Sequence, residues 1–186
     1  MTDTLWAPWR MKWIAGAAKP RGASRGAASK AQKAPRQCLF CRVAKTHADR
    51  RDLVLARRAH ALLMLNRYPY ASAHLMVAVK RHAARFVDLD AAERADLLDL
   101  VALAERALEK EYEPHGVNYG LNVGRVAGAG FPGHLHIHLV PRWDGDTNFM
   151  PVIARTRVLP ESLAATWARL RRAIATLERA KGGRRG

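Results

Sequence analysis

The segment His134-Leu-His-Ile-His-Leu-Val-Pro-Arg142 constrains this chain more than any other. Histidine and aliphatic residues alternate along it, and side chains alternate faces along a β-strand. His134, His136 and His138 therefore share one face, while Leu135, Ile137 and Leu139 share the other. The aliphatic row must be covered by another layer of structure. The histidine row is costly unless each ring is hydrogen-bonded or used, because burial disfavours the charged imidazole. Metal binding or phosphate chemistry accounts for such a row, and the titrations of rings this close are coupled.

The rest of the chain supplies the covering layers. Leu/Val-rich runs at Arg51–Arg58, His60–Asn66, His74–Lys80 and Gly116–Val123 read as further strands. A helix is predicted over about 90–111, where Leu97, Val101, Ala104 and Leu108 fall on one face. Asp90 with Glu93 forms a capping-box pattern, and Pro114-His-Gly116 ends the helix. A second helix is predicted over 161–180, with the stripe Leu163, Trp167, Leu170, Ile174 and Leu177. Strands, a helix and more strands imply an α+β fold: a mostly antiparallel sheet, one central helix and a C-terminal helix.

Length and charge bound the class. With 186 residues, about half of them apolar, the chain suits one domain with a real core. The net charge of +16 points first to a polyanion partner. That charge is concentrated in two flanks. Residues 15–37 carry six bases and no acid, and residues 169–186 carry seven bases against Glu178, whereas 38–168 carries 17 bases and 14 acids. The first flank is rich in Ala, Gly, Ser and Pro and reads as a flexible basic insert. Residues 1–14, with Trp6, Trp9 and Trp13, read as a segment packing on the body. No apolar run reaches the roughly 18 to 20 residues of a membrane span, and the start lacks a signal-peptide core. A cytoplasmic protein is expected.

Gly128, Gly130 and Gly133 match the spacing of a dinucleotide fingerprint. Pro132 lies inside the match, and a strand follows where that motif requires a helix, so the Rossmann reading fails. A glycine-rich turn still brings backbone N–H groups close to an anion.

His134-x-His136-x-His138, each followed by an apolar residue, resembles the histidine triad (HIT) superfamily of nucleotide hydrolases and transferases. Leu65-Asn66-Arg67-Tyr68-Pro69 followed by Ala73-His74-Leu75 is similar to that family's asparagine segment and first active-site histidine. Val79-Lys80-Arg81-His82 is similar to its PK-x-H element, with Val in place of Pro. Trp6-Ala-Pro-Trp-Arg10, Pro141-Arg-Trp143 and Gly145-Asp-Thr-Asn-Phe-Met150 resemble the bacterial diadenosine tetraphosphate phosphorylase-like branch. The likeness covers about 38–168 and the first 14 residues; the insert 15–37 falls outside it. Much of the family carries Gly-Gln-Ser or Gly-Gln-Thr shortly before the triad. Ala129-Gly130-Phe131 stands there instead, which weakens a plain hydrolase reading and fits the phosphorylase-like branch.

The resemblance implies a division of labour. His136 is the nucleophile that attacks an α-phosphorus and forms a nucleotidyl-histidine, resolved by water or inorganic phosphate. A neutral imidazole suits this because its reference pKa is about 6.5. His138 lies near the leaving group, and His74 binds phosphate or orients the others. Asn66 contacts the ribose. Amides from Gly128, Gly130 and Gly133 stabilise phosphate charge, and Trp143 lines the nucleotide pocket. The substrate implied is a dinucleoside polyphosphate or related nucleotide, with phosphorolysis favoured and a homodimer expected. A hydrolase or phosphoramidase on the same fold is the alternative. A zinc-braced nucleic-acid module using the basic flanks stands further off.

Cys38-Leu-Phe-Cys41 is ambiguous alone between zinc and thiol redox. It is not expected to open a helix after a thioredoxin-like strand, which ranks redox lower. In zinc-bearing histidine triad proteins such a pair is completed by the PK-x-H histidine and the first triad histidine. Those positions are His82 and His134, a closed Cys2His2 structural set. His47, His60 and His115 belong to no motif and read as surface or turn residues.

Overall fold

The computed structural model describes residues 38–127, 133–146 and 160–182. The Trp-rich segment 1–14, the insert 15–37, Gly128 and Gly130 lie outside the described residues, as does the tail from 183 on. The chain opens with helix α1 (Leu39–Lys45) and a single turn, α2 (Asp49–Asp52). Strands β1 (Val54–Arg57), β2 (Ala61–Leu65) and β3 (Leu75–Val79) follow. After a 3-10 turn come the long helix α3 (Ala91–Tyr112), strand β4 (Gly116–Leu121), strand β5 (His136–Arg142) and helix α4 (Leu163–Gly182). The five strands form one antiparallel sheet in the order β1-β2-β3-β5-β4. This is the expected α+β architecture.

Burial explains the composition of the central strands. Every residue of β2 and β3 is buried, because the sheet is covered on both faces where they run. Ala61, Leu63, Leu65, Leu75, Val77 and Val79 join the core under α3 and α4. Leu62, Met64, Met76 and Ala78 point the other way and pack with Phe40 and Val43 of α1. Period-two alternation thus sorts one apolar run into two cores. β5 shares the arrangement: Leu135 and Leu139 enter the larger core, and its histidines face the other side.

Helix α3 begins as the sequence indicates. The Asp90 carboxylate accepts from the Glu93 amide at 2.8 Å, and the Glu93 carboxylate accepts from the Asp90 amide at 3.0 Å. Glu93 has a second duty. Although buried, it takes both arms of the Arg81 guanidinium at 2.6 and 2.7 Å. Arg81 bonding first, against burial, holds its carboxyl below the ordinary value. The helix stops at Glu113, which adopts the left-handed conformation at φ 43° just before Pro114. On α4, Leu170, Ala173 and Ile174 are buried, and the Trp167 indole donates to the Val54 carbonyl at 2.9 Å. Among the described residues no helix is long and apolar enough to cross a membrane.

Two expectations need correction. The run Arg51–Arg58 is not one strand: α2 ends in Leu53 at φ 59°, and β1 starts only at Val54. Asp52 causes the break. It is buried and accepts from Arg42, Thr46 and both arms of Arg51. The Arg51 guanidinium first, then Thr46 and Arg42, hold its carboxyl well below the usual range despite burial. The second correction concerns the cysteine pair, which does open a helix: Cys38 is the N-cap of α1 and Cys41 lies in its first turn.

The two ends of the capping box should separate experimentally. Asp90→Ala removes one cap bond and is expected to cost about 1 kcal/mol. Glu93→Ala also leaves Arg81 without its carboxylate and is expected to cost about 2 kcal/mol or more. Urea unfolding measures both; equal losses would contradict the double role of Glu93.

Candidate functional site

The β3–β5 pairing builds the site. Met76 lies opposite His138 and Ala78 opposite His136. His74 immediately precedes β3, so its ring meets the histidine face of β5. Ala73, at φ 55°, turns the chain into that position. Tyr70 completes the corner, its ring 4.6 Å from that of His74 and 5.8 Å from that of His138.

The hydrogen bonds fix the tautomers. A carbonyl only accepts, so the His136 Nδ1, 2.8 Å from the His134 carbonyl, carries the proton and donates. Its Nε2 is left with a lone pair. The Tyr70 amide donates to His74 Nδ1 at 3.0 Å, so the His74 proton is on Nε2. That N–H donates to His138 Nδ1 at 2.9 Å, and the His138 proton therefore sits on Nε2. Asn66 stands beside this chain, its amide nitrogen 3.4 Å from His74 Nδ1. Phe40 is fully buried and supports the rings of His134 and His136 from below, at 5.0 and 4.7 Å. Burial and the neighbouring His136 push the His138 imidazole down to about 4. Burial lowers His136 as well, against the opposing pull of its bond to the His134 carbonyl. Both shifts favour the neutral imidazoles that nucleophile and donor chemistry require.

A cavity of about 470 Å³ opens above these rings. His136, His138, Asn66, Tyr68 and Tyr70 stand around it together with Leu39, Leu53, Met64, Leu65 and Met76. Asp52, Arg42 and Arg67 also line it. The wall thus has an apolar part beside an arginine–aspartate pair and a polar part built from imidazoles. A flat apolar group with an attached phosphate fits that division.

A second cluster lies at the root of β5. Ligand atoms of Cys38, Cys41, His82 and His134 all lie within 4.8 Å of one another. Cys38 Sγ is 3.3 Å and Cys41 Sγ 3.5 Å from His134 Nδ1, and Cys41 Sγ and His134 Nδ1 are each 3.3 Å from His82 Nδ1. Zinc bonds of about 2.3 Å to sulfur and 2.0–2.1 Å to nitrogen set tetrahedral edges of about 3.6 Å (S···N) and 3.3 Å (N···N). The three S···N separations of 3.3–3.5 Å and the N···N separation of 3.3 Å are close to those edges. His134 Nε2 donates to the Val79 carbonyl at 2.7 Å, which turns its bare Nδ1 toward the sulfurs. The four residues form a group that can bind a metal.

The structure therefore brings His136, His138 and Asn66 to one cavity, with His74 fully buried behind it and bonded to His138, and Cys38, Cys41, His82 and His134 to one cluster. Gly133 lies against the second: a Cβ there would stand 3.4 Å from His82 Nε2. Trp143 is placed away from the cavity lining, its indole donating to the Tyr112 carbonyl at 3.1 Å. His115 pairs with Asp144 at the surface. Sequence reasoning missed Arg42, Asp52 and Tyr70. In sequence Arg42 is an isolated base after Cys41 and Asp52 ends the charged run Asp49-Arg-Arg-Asp52, and both read as solvated charge.

The chain matches the HIT domain family over residues 48–145. It is 38% identical over 172 residues to an AP-4-A phosphorylase of Mycobacterium tuberculosis, covering 92% of this chain and 82% of that protein. It is 33% identical over 105 residues to an adenosine 5′-monophosphoramidase of Schizosaccharomyces pombe, covering 56% of this chain and 74% of that one. Among solved structures, a hypothetical histidine triad nucleotide-binding protein of Sulfolobus tokodaii superposes with a TM-score of 0.61 at 25% identity, over 76% of this chain and 95% of that chain. A Zn-bound histidine triad family protein of Mycobacterium smegmatis shares the fold, with a TM-score of 0.61 at 22% identity, over 77% and 97% of the two chains.

Neutral buried histidines leave a mark on stability. His134 and His138 are each lowered from 6.5 to about 4, so the unfolded chain binds more protons than the native one between those values. Metal-free protein should be fully stabilised above pH 6.5 and lose stability as pH falls from 6.5 toward 4. His138→Gln, which cannot take up that proton, should shallow the decline. Denaturant midpoints that stay flat through the window, or an unchanged slope in the variant, would contradict the assignment.

Proposed function

The chain belongs to the HIT domain family, and on that premise we propose that it is a nucleotidyl-transferring enzyme acting on dinucleoside polyphosphates, with inorganic phosphate as the favoured acceptor. The observation that carries the reading is the imidazole of His136 at the cavity wall, its Nδ1 committed to the His134 carbonyl and its Nε2 unprotonated. The likeness to the AP-4-A phosphorylase supports the choice of substrate and of acceptor.

In the first step His136 Nε2 attacks the α-phosphorus. A P–N bond forms, the P–O bond to the departing nucleotide breaks, and its electron pair leaves on that oxygen. His138 Nε2–H, backed by His74, donates toward the leaving oxygen. In the second step a phosphate oxygen attacks the same phosphorus, the P–N bond breaks, and the electron pair returns to Nε2. The His134 carbonyl accepts from His136 Nδ1 throughout and stabilises the imidazolium form of the intermediate. Asn66 is assigned to the ribose, and Gly128 and Gly130 to the phosphate, whereas Gly133 lies against His82 of the Cys/His cluster.

Cys38, Cys41, His82 and His134 would hold one zinc ion, whose contribution is a structural brace at the root of β5. The two cysteines form no disulfide, which suits a reducing cytoplasmic setting. A homodimer through β4 fits the same picture. β4 is an outer strand of the described sheet, and Tyr119, Leu121 and Val123 are exposed on it or next to it.

Phosphate dependence tests the reaction. Phosphorolysis of diadenosine tetraphosphate yields ADP plus ATP, whereas water as acceptor yields AMP plus ATP. The first pair is expected when phosphate is present; AMP as the main product under saturating phosphate would favour the hydrolase reading. His136→Ala should fold normally and lose turnover by more than about a thousandfold. Metal analysis should find one zinc per chain, lost in both Cys38→Ala and His82→Ala. Zinc retained in these variants would remove the site.

A further inference from the structure

Arg42 stands at the apolar part of the cavity, where nothing in the proposed reaction uses it. Leu39, Leu53, Met64 and Met76 line that part, so it suits the base of the nucleotide whose phosphate meets His136. Leu39 and Arg42 are three residues apart on α1 and so share a helix face. Arg42 is held in place from behind. Its Nη1 donates to Asp52 Oδ1 at 3.0 Å, and Asp52 is only 3% exposed.

The anchor matters for what the site can read. Asp52 Oδ1 also accepts from Arg51 Nε at 3.2 Å. Its Oδ2 accepts from Thr46 at 2.8 Å and from Arg51 Nη2 at 3.0 Å. A carboxylate offers about four acceptor positions, and all four are taken. Asp52 has nothing left with which to receive a base amino group. Arg42 uses one of its five N–H donors on Asp52, and it accepts nothing. The other charged side chain in this wall, Arg67, is likewise a donor only, with one bond to the Arg51 carbonyl at 2.9 Å. The charged groups here therefore present donors without a free acceptor.

Purines differ along one edge in this respect. Guanine offers two adjacent acceptors, O6 and N7. Adenine offers the N7 acceptor beside the N6 amino donor, which meets another donor unfavourably. Arg42 held by Asp52 matches the guanine edge. We propose that Arg42 is a specificity-determining residue that selects guanine at the base site, so that diguanosine tetraphosphate is a better substrate than its diadenosine counterpart. The inference rests on the dinucleoside polyphosphate reading above. Asp52 is a positioning residue: it acts through Arg42.

The experiment compares kcat/KM for diguanosine and diadenosine tetraphosphate in the wild-type protein, in Arg42→Met and in Arg42→Lys. The wild-type ratio is expected to favour guanine by about tenfold, the size of one good two-pronged arginine–guanine contact. In Arg42→Met the ratio should fall by about the same factor. Arg42→Lys keeps the charge without the planar fork, and its ratio should fall as well. This variant decides the matter if Arg42→Met does not fold. Turnover of the adenine substrate with a wild-type ratio at or below one overturns the inference while leaving the reaction standing. A guanine preference that survives both substitutions overturns it too. Failure of the wild-type protein to turn over either dinucleotide removes the reaction itself, and this inference with it.

Discussion

The antiparallel pairing of β3 with β5 is the contact on which the rest depends. Its register sets Met76 against His138 and Ala78 against His136. A shift by one residue would send every histidine of β5 into the core under α3 and α4, and every leucine to the cavity. The aliphatic row enforces the register. Leu135 and Leu139 are buried with Leu97, Leu100 and Leu108 of α3, and burying a leucine contributes about 1.5–3 kcal/mol. The histidine face is thus held by the aliphatic face.

His134 links the two clusters. Its ring belongs with Cys38, Cys41 and His82, while its backbone carbonyl takes the Nδ1 proton of His136. The side chain is two residues from His136 and on the same face, yet it is committed elsewhere through Nδ1 and through the Val79 carbonyl. The four-residue cluster therefore fixes the backbone from which His136 takes its tautomer. Phe40, fully buried, packs against both rings.

Much of this was legible in the sequence, for definite reasons. Strict alternation over His134–Leu139 fixes two faces whatever the surroundings. The Asp90/Glu93 pattern marks a helix start because both side chains find amides three residues apart. The chain-distant partners His74, His82, Cys38 and Cys41 came from family resemblance, since no local rule brings residues 96 positions apart into contact. Helix α1 was not legible. It is seven residues long, has no side-chain cap, and is held by the burial of Phe40, Cys41 and Val43. Nor was the turn at Asp52: in sequence Asp49-Arg-Arg-Asp52 reads as solvated charge, and only the packed fold shows Asp52 inside with Arg42 tethered to it.

The net charge of +16 gains a different meaning from this arrangement. The cavity wall itself holds the imidazoles of His136 and His138 and the side chains of Arg42 and Arg67, so the proposed reaction does not call on the bulk charge of the flanks. The direct test of the central claim is to mix the protein with diadenosine tetraphosphate without phosphate, quench, and map any adduct by mass spectrometry. An adenylyl group on His136 is expected, discharged to ADP when phosphate is added. Turnover that proceeds with no adduct, or with the adduct on His74, His138 or another residue, would contradict it.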